Sequence, residues 1–250
     1  MIAEVPVSLT YNGVAHVVMM ATPLDVEDFA VGFTLTDGLA DTFDDIADVE
    51  VREVSPGLLV RIDLPARLAG RLNERRRGMV GQTGCGLCGV IELEQAVPAA
   101  RKVPSPGPVM PDVIFRALTA LRDRQSLNQA TGAAHAATFV GWQGDLRLVR
   151  EDVGRHNAFD KLIGALASAR IDRASGFALL TARCSYELVA KAMMAGIPML
   201  VTLSAPTDLA VRLARDAGLT LLCLAREDSV IVCHDPAGLF ARQTGGGRQD

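Results

Sequence analysis

"FALLTARCSYELVAKAMMAGIPMLVTLSAPTDLAVRLARDAGLTLLCLA", residues 177–225, decides the fold class. Three runs within it, FALLTA, IPMLVTLSA and LTLLCLA, are apolar throughout rather than alternating. Helix-length segments at 186–195 and 207–217 separate them. A strand that is apolar on both sides must be covered on both faces, as in sheets built from strand-helix-strand units. The reading is therefore α/β, a layered sheet with helices on both faces. SVIVCHD at 229–235 adds a strand. AHAATFVGWQGDLRLVRED at 134–152 reads as a hairpin, and residues 112–124 and 157–170 read as helices.

Upstream the character changes. VPAARKVPSPGPVMP, residues 97–111, holds five prolines, which remove backbone donors and favour an extended connector. The expected organisation is a smaller α+β domain over 1–97, a connector over 98–111, an α/β domain over 112–240 and a frayed tail over 241–250. In the smaller domain, Asn12-Gly13 is the strongest short hairpin signal. A helix is expected to start at Thr22-Pro23, with Asp25 in its first turn, and to run to about Gly38. A second hairpin is expected around Pro56-Gly57, with helix over 66–77.

With 250 residues, 49% of them hydrophobic, the chain can bury a large core. Its 25 basic and 29 acidic residues give a net charge of -4, so no global field attracts nucleic acid or an anionic membrane. An anionic ligand must be held by a local site. The N-terminal MIAEVPVSLTYNG has no apolar core of a secretory signal, and no apolar run reaches membrane-spanning length, so the expected location is cytoplasmic. Cys184, Cys223 and Cys233 sit in apolar surroundings and read as core thiols rather than a disulfide framework.

Ligands of open α/β sheets collect in the turns beyond strand ends. Three such turns are unusually polar. REDVGRHN presents Glu151, Asp152, Gly154, Arg155, His156 and Asn157 at a helix start. TARCSYE presents Arg183 and Ser185, and LSAPTD presents Ser204 and Thr207. Helix N-termini with a nearby arginine suit phosphate, although any one of these turns could equally be an ordinary N-cap. His135, after the Thr131-Gly132 turn, could face the same edge or simply be a satisfied core histidine.

The only closely spaced cysteines are Cys85 and Cys88 in GMVGQTGCGLCGVIELE, residues 78–94. A structural zinc site needs four ligands, and no second pair stands at that spacing, so no metal is expected. A zinc deaminase would carry H-x-E ahead of P-C-x-x-C, whereas here the pair precedes His135 and HAA lacks the glutamate. A redox dithiol would sit where a strand runs into a helix. A carrier thiol remains, one option among several. Glycines around it allow reach, and Arg75, Arg76 and Arg77 could favour the thiolate.

GCGLCG, TGAAHAA, REDVGRHNAFDKLIGAL, CSYELVAKAMMAGIPMLVTLSAPTDLAV and LTLLCLAREDSVIVCH together resemble the FdhD family of formate dehydrogenase accessory sulfurtransferases, from about Val5 to His234. The resemblance implies a cytoplasmic homodimer that takes sulfur from a cysteine desulfurase. It would deliver that sulfur to the molybdenum cofactor, as bis-molybdopterin guanine dinucleotide, for formate dehydrogenase. It implies a persulfide on Cys85, a supporting role for Cys88, GDP as a mimic of the cofactor, and a larger domain resembling cytidine deaminase without its zinc. The family's cofactor segment falls on Leu224, Ala225, Arg226, Glu227, Asp228 and Ser229. Some members carry an aromatic residue, glycine and more basic residues there, so phosphate contact in this chain rests on Arg226 and backbone amides. The turns at Arg155, Arg183 and Ser204 would supply the rest. The rival reading is a cofactor-binding chaperone whose cysteines only position or protect the metal.

Overall fold

The computed structural model describes residues 1–78 and 99–240. The fold is mixed α/β, with two sheets and, among the described residues, seven α-helices. The chain forms two compact units. Unit 1 contains Met1–Ala99, Leu127–Ala136 and Arg150–Ile171, and unit 2 contains Ala100–Ser126, Ala137–Val149 and Asp172–Asp250.

Unit 1 carries a four-stranded sheet in the order β2-β1-β4-β3, formed by β1 (Val5–Tyr11), β2 (Val14–Ala21), β3 (Asp48–Val54) and β4 (Gly57–Asp63). Each hairpin is antiparallel, and β1 runs parallel to β4. The first turn uses Asn12 and Gly13, both at positive φ (50° and 78°), the geometry that matches strand twist. Asn12 also exchanges two hydrogen bonds with the Leu64 backbone, at 3.1 and 2.8 Å.

Helices α1 (Val26–Thr36) and α5 (Arg155–Ser168) fill the core of this unit, and residues 157–166 of α5 are buried without a break. Their backbones nearly touch at two glycines. A Cβ on Gly32 would lie 1.8 Å from the Asp160 carbonyl oxygen, and one on Gly164 would lie 1.9 Å from that of Asp28. Thr36 donates to Asp160 Oδ1 across the same crossing (2.7 Å). This packing differs from a single division at 98–111, because α5 packs with the N-terminal segment although more than a hundred residues separate them. Helix α1 begins at Val26 rather than at Thr22-Pro23. The reason is that Thr22 is occupied, its amide donating to Asp152 Oδ2 (2.9 Å) and its carbonyl accepting from Lys161 Nζ (3.0 Å).

The second sheet has the order β10-β9-β8-β7-β5-β6. Its strands are β5 (His135–Gly141), β6 (Leu146–Asp152), β7 (Gly176–Leu180), β8 (Met199–Thr202), β9 (Thr220–Cys223) and β10 (Ile231–His234). Strands β7, β8 and β9 are parallel and every residue in them is buried, as their uniformly apolar sequences require. Strands β5 and β10 add antiparallel to β7 and β9. Helices α2 (Ala69–Gly78), α3 (Pro111–Arg124), α4 (Ser126–Thr131), α6 (Tyr186–Met194) and α7 (Asp208–Ala217) complete the fold. Among the described residues no helix is long and apolar enough to cross a membrane.

Candidate functional site

In unit 1 the turn that leads into α5 is built around a buried ion pair. Lys161 Nζ lies 2.6 Å from Asp152 Oδ2, and neither side chain reaches solvent. Asp152 Oδ1 accepts from the Gly154 amide (2.7 Å) and from Asn157 Nδ2 (3.1 Å), and Asn157 also donates to the Met20 carbonyl (2.8 Å). Lys161 directs further donors to the Thr22 and Glu151 carbonyls. Burial pushes its ammonium below the usual lysine range, against the pull of Asp152. The pair is tolerated because nearly every lone pair and proton is matched. Glu151 accepts from the Leu127 and Asn128 amides, both at 2.8 Å, and thereby caps α4. Four expected site residues, Asp152, Gly154, Asn157 and the neighbouring Glu151, thus shape the turn.

The basic side chains of this turn have a different setting. No side chain caps the α5 N-terminus at Gly154. Arg155 Nε is buried and has no hydrogen-bond partner among the described residues. His135 is half-buried close to both Arg155 and His156. Burial, then the charges of those two residues, hold its imidazole below the ordinary histidine range, while Asp152 pulls the other way. Unit 1 therefore brings His135, Arg155 and His156 together at a helix N-terminus, an arrangement suited to an anion.

In unit 2 the loops after β7 and β8 are zipped together. Cys184 pairs with Pro206 in a parallel bridge, its amide donating to the Ala205 carbonyl (3.2 Å) and its carbonyl accepting from the Thr207 amide (3.0 Å). This sets the N-termini of α6 and α7 side by side. Ser185 occupies the N-cap position of α6, where its hydroxyl donates to Glu187 Oε2 (3.2 Å) and makes no capping bond, while Thr207 caps α7 by accepting from the Ala210 amide (3.2 Å). The Ser204 carbonyl accepts from Thr202 Oγ1 (3.0 Å). Arg183 is exposed.

The segment after β9 starts at Leu224 with φ 52°, a left-handed conformation uncommon for a branched side chain. Ala225 is buried, and its amide donates to the Thr202 carbonyl (3.1 Å). Arg226 Nη1 donates to the Leu203 and Ala225 carbonyls (2.6 and 2.9 Å), so its guanidinium holds the loop. Glu227 pairs with Arg122, which offsets its negative charge. Ser229 donates to Asp228 Oδ1 (2.9 Å).

Cys223 is hydrogen-bonded to both Cys184 and Cys233. The Cys184 contact, followed by burial, pushes the Cys223 thiol well above its ordinary value, and burial pushes Cys233 up to about 12. The Cys223 and Cys233 thiols therefore stay protonated at neutral pH. Among the described residues no group of three or more His, Cys, Asp or Glu side chains could hold a metal ion. Cys85 and Cys88 lie outside the described residues, as does the expected tail over 241–250.

Residues 2–239 match the model of the FdhD/NarQ family. The chain belongs to this family. Among its relatives, the sulfur carrier protein FdhD of Xanthomonas euvesicatoria pv. vesicatoria is 47% identical over 237 residues, covering 95% of this chain and 84% of that protein. That of Cupriavidus necator is 47% identical over 236 residues, covering 94% and 82%. The crystal structure of a formate dehydrogenase accessory protein from Desulfotalea psychrophila has the same fold, with a TM-score of 0.71 at 21% identity over 94% of this chain and 88% of that one.

For this FdhD/NarQ chain, the structure places the expected cofactor residues in two groups. His135, Asp152, Gly154, Arg155, His156 and Asn157 are in unit 1. Arg183, Ser185, Ser204, Thr207 and residues 224–229 are in unit 2. Sequence reading missed Lys161, Thr22 and Arg122. The signal for Lys161 is a lysine that, with Asp160, interrupts the otherwise apolar helical run AFDKLIGALA.

Proposed function

We propose that this protein is a sulfurtransferase that carries sulfane sulfur as a persulfide on Cys85 and serves formate dehydrogenase maturation. The Cys85 thiolate attacks the terminal sulfur of a cysteine desulfurase persulfide. A new S–S bond forms on Cys85, and the donor cysteine leaves as a thiolate. Cys88 supports release of that sulfur to the molybdenum centre of bis-molybdopterin guanine dinucleotide, which is the acceptor substrate. The anion-suited turns bind parts of the dinucleotide, and the candidates are His135, Arg155 and His156, Arg183, the α6 and α7 N-termini and the 224–229 segment. GDP mimics this part of the ligand. We read the larger sheet as cytidine-deaminase-like without the zinc, and the working protein as a cytoplasmic homodimer.

The observation that carries this reading is the kinship over 95% of the chain with proteins named sulfur carrier protein FdhD, together with the C-x-x-C pair in this sequence. The burial of Cys184 and the raised thiols of Cys223 and Cys233 support it, because they leave Cys85 and Cys88 as the chain's candidates for a nucleophilic thiol. The competing reading is a chaperone that binds the cofactor without carrying sulfur. A host lacking its own FdhD, supplied with this chain, tests the two. Cys85→Ala is expected to abolish formate dehydrogenase activation while leaving GDP binding intact. Full activation by that variant would establish the chaperone instead.

A further inference from the structure

Cys223 and Cys233 stand at the two ends of one loop. Residues 224–232 leave β9 after Cys223 and return in β10, and the loop carries Arg226. Ile231 is the register partner of Cys223, and Cys233 falls where the β9–β10 register breaks, between Val232 and His234. The Cys233 thiol turns back toward the Ile231 carbonyl (3.9 Å) and is in hydrogen-bond contact with the Cys223 thiol. Two thiols therefore meet at the base of a loop, beside an irregularity that can absorb a small shift. They differ in access. Cys223 is fully buried, as is its neighbour Cys184, whereas Cys233 is partly exposed.

We propose that Cys223 and Cys233 form a reversible disulfide when the surrounding thiol pool is oxidised, which closes residues 224–232 into a covalent ring and holds Arg226 in its inward position. The Cys233 thiolate attacks a low-molecular-weight disulfide such as oxidised glutathione, making a mixed disulfide and releasing one small thiolate. Cys223 then gives its proton to solvent and attacks the Cys233 sulfur. The protein S–S bond forms as the second small thiolate leaves. Two protein thiols lose two electrons, and the oxidant becomes two thiols. Only thiolate attacks, and burial holds Cys233 up at about 12, so closure is slow at neutral pH and quickens about tenfold per pH unit above it.

The consequence falls on Arg226. Its Nη1 donates to the Leu203 and Ala225 carbonyls, and its amide donates to the Ser229 carbonyl (2.8 Å), so the loop must open before the whole guanidinium can turn to an anion. A disulfide at the base of the loop opposes that opening. The effect on a nucleotide rests on the proposed role of residues 224–229, whereas the disulfide itself does not.

The test uses the full-length protein, held with oxidised glutathione at about pH 8, alkylated, cut with trypsin and weighed. Trypsin cuts after Arg183, Lys191, Arg215 and Arg226, which puts the three cysteines on separate peptides. The peptides bearing Cys223 and Cys233 should be linked and come apart with dithiothreitol, and in Cys223→Ser glutathione should remain on Cys233. A Cys184–Cys223 link, or Cys223 and Cys233 both alkylated after prolonged oxidation, overturns the proposal. GDP binding is read on the same samples. Oxidation should abolish it in the wild type, dithiothreitol should restore it, and Cys233→Ser should bind GDP with or without oxidant. Linked wild type that binds GDP as the reduced protein does, or Cys233→Ser that loses binding as the wild type does, overturns the control of Arg226. Absence of GDP binding in the reduced wild type defeats the dinucleotide reading, and the linked peptides then decide the disulfide by themselves.

Discussion

Lys161 is where the polar chemistry of unit 1 is most exposed to mutation. Its ammonium answers the Asp152 carboxylate where neither side chain is exposed, so removing one partner leaves an uncompensated buried charge. Lys161→Met is expected to cost about 3–5 kcal/mol, read as a lower urea midpoint at unchanged slope. A loss below about 0.5 kcal/mol would mean that the pair is open to solvent. The chain shows only a lysine within an apolar helical run, not its partner. The sequence marks Arg155 and His156 as polar residues at a helix start, but cannot tell that Asp152 and Asn157 turn inward while Arg155 keeps a buried donor unmatched among the described residues. The division depends on Thr22 and Met20, which approach only in the folded state.

Among the elements, the hairpins and the strand-helix alternation were readable because their causes are local. Asn12-Gly13 supplies two positive φ angles, and the uniformly apolar strands β7 to β9 can only be interior. The six-residue helix α4 escaped notice because its cap is Glu151, more than twenty residues downstream. The crossing of α1 and α5 is equally silent in sequence, where Gly32 and Gly164 resemble any helical glycine. Their geometry makes a strong prediction. Gly32→Ala or Gly164→Ala must push apart two backbones, and each should cost at least about 1–3 kcal/mol, although alanine is the better helix former. Thermal unfolding of either variant checks this, and an unchanged or raised Tm would contradict so close an approach.

At the scale of the whole molecule, the chain passes between its two units several times, and the residues expected to hold a cofactor are divided between them. A reading of the sequence from end to end places one boundary at the prolines, because proline marks a connector and nothing local marks where a helix will pack. The family was legible from motifs, and the match over residues 2–239 together with relatives at 47–48% identity bears it out. The chemistry turns on which thiols are reactive. Cys184 and Cys223 are buried, and the thiols of Cys223 and Cys233 are held protonated, which supports the proposal that the C-x-x-C pair carries the sulfur. The most direct measurement is mass spectrometry of peptides from the full-length protein after incubation with a cysteine desulfurase and cysteine. The account predicts one added sulfur atom on the peptide bearing Cys85 and none on those bearing Cys184, Cys223 or Cys233. An unmodified Cys85 peptide, or sulfur lodged on the unit 2 thiols instead, would contradict it.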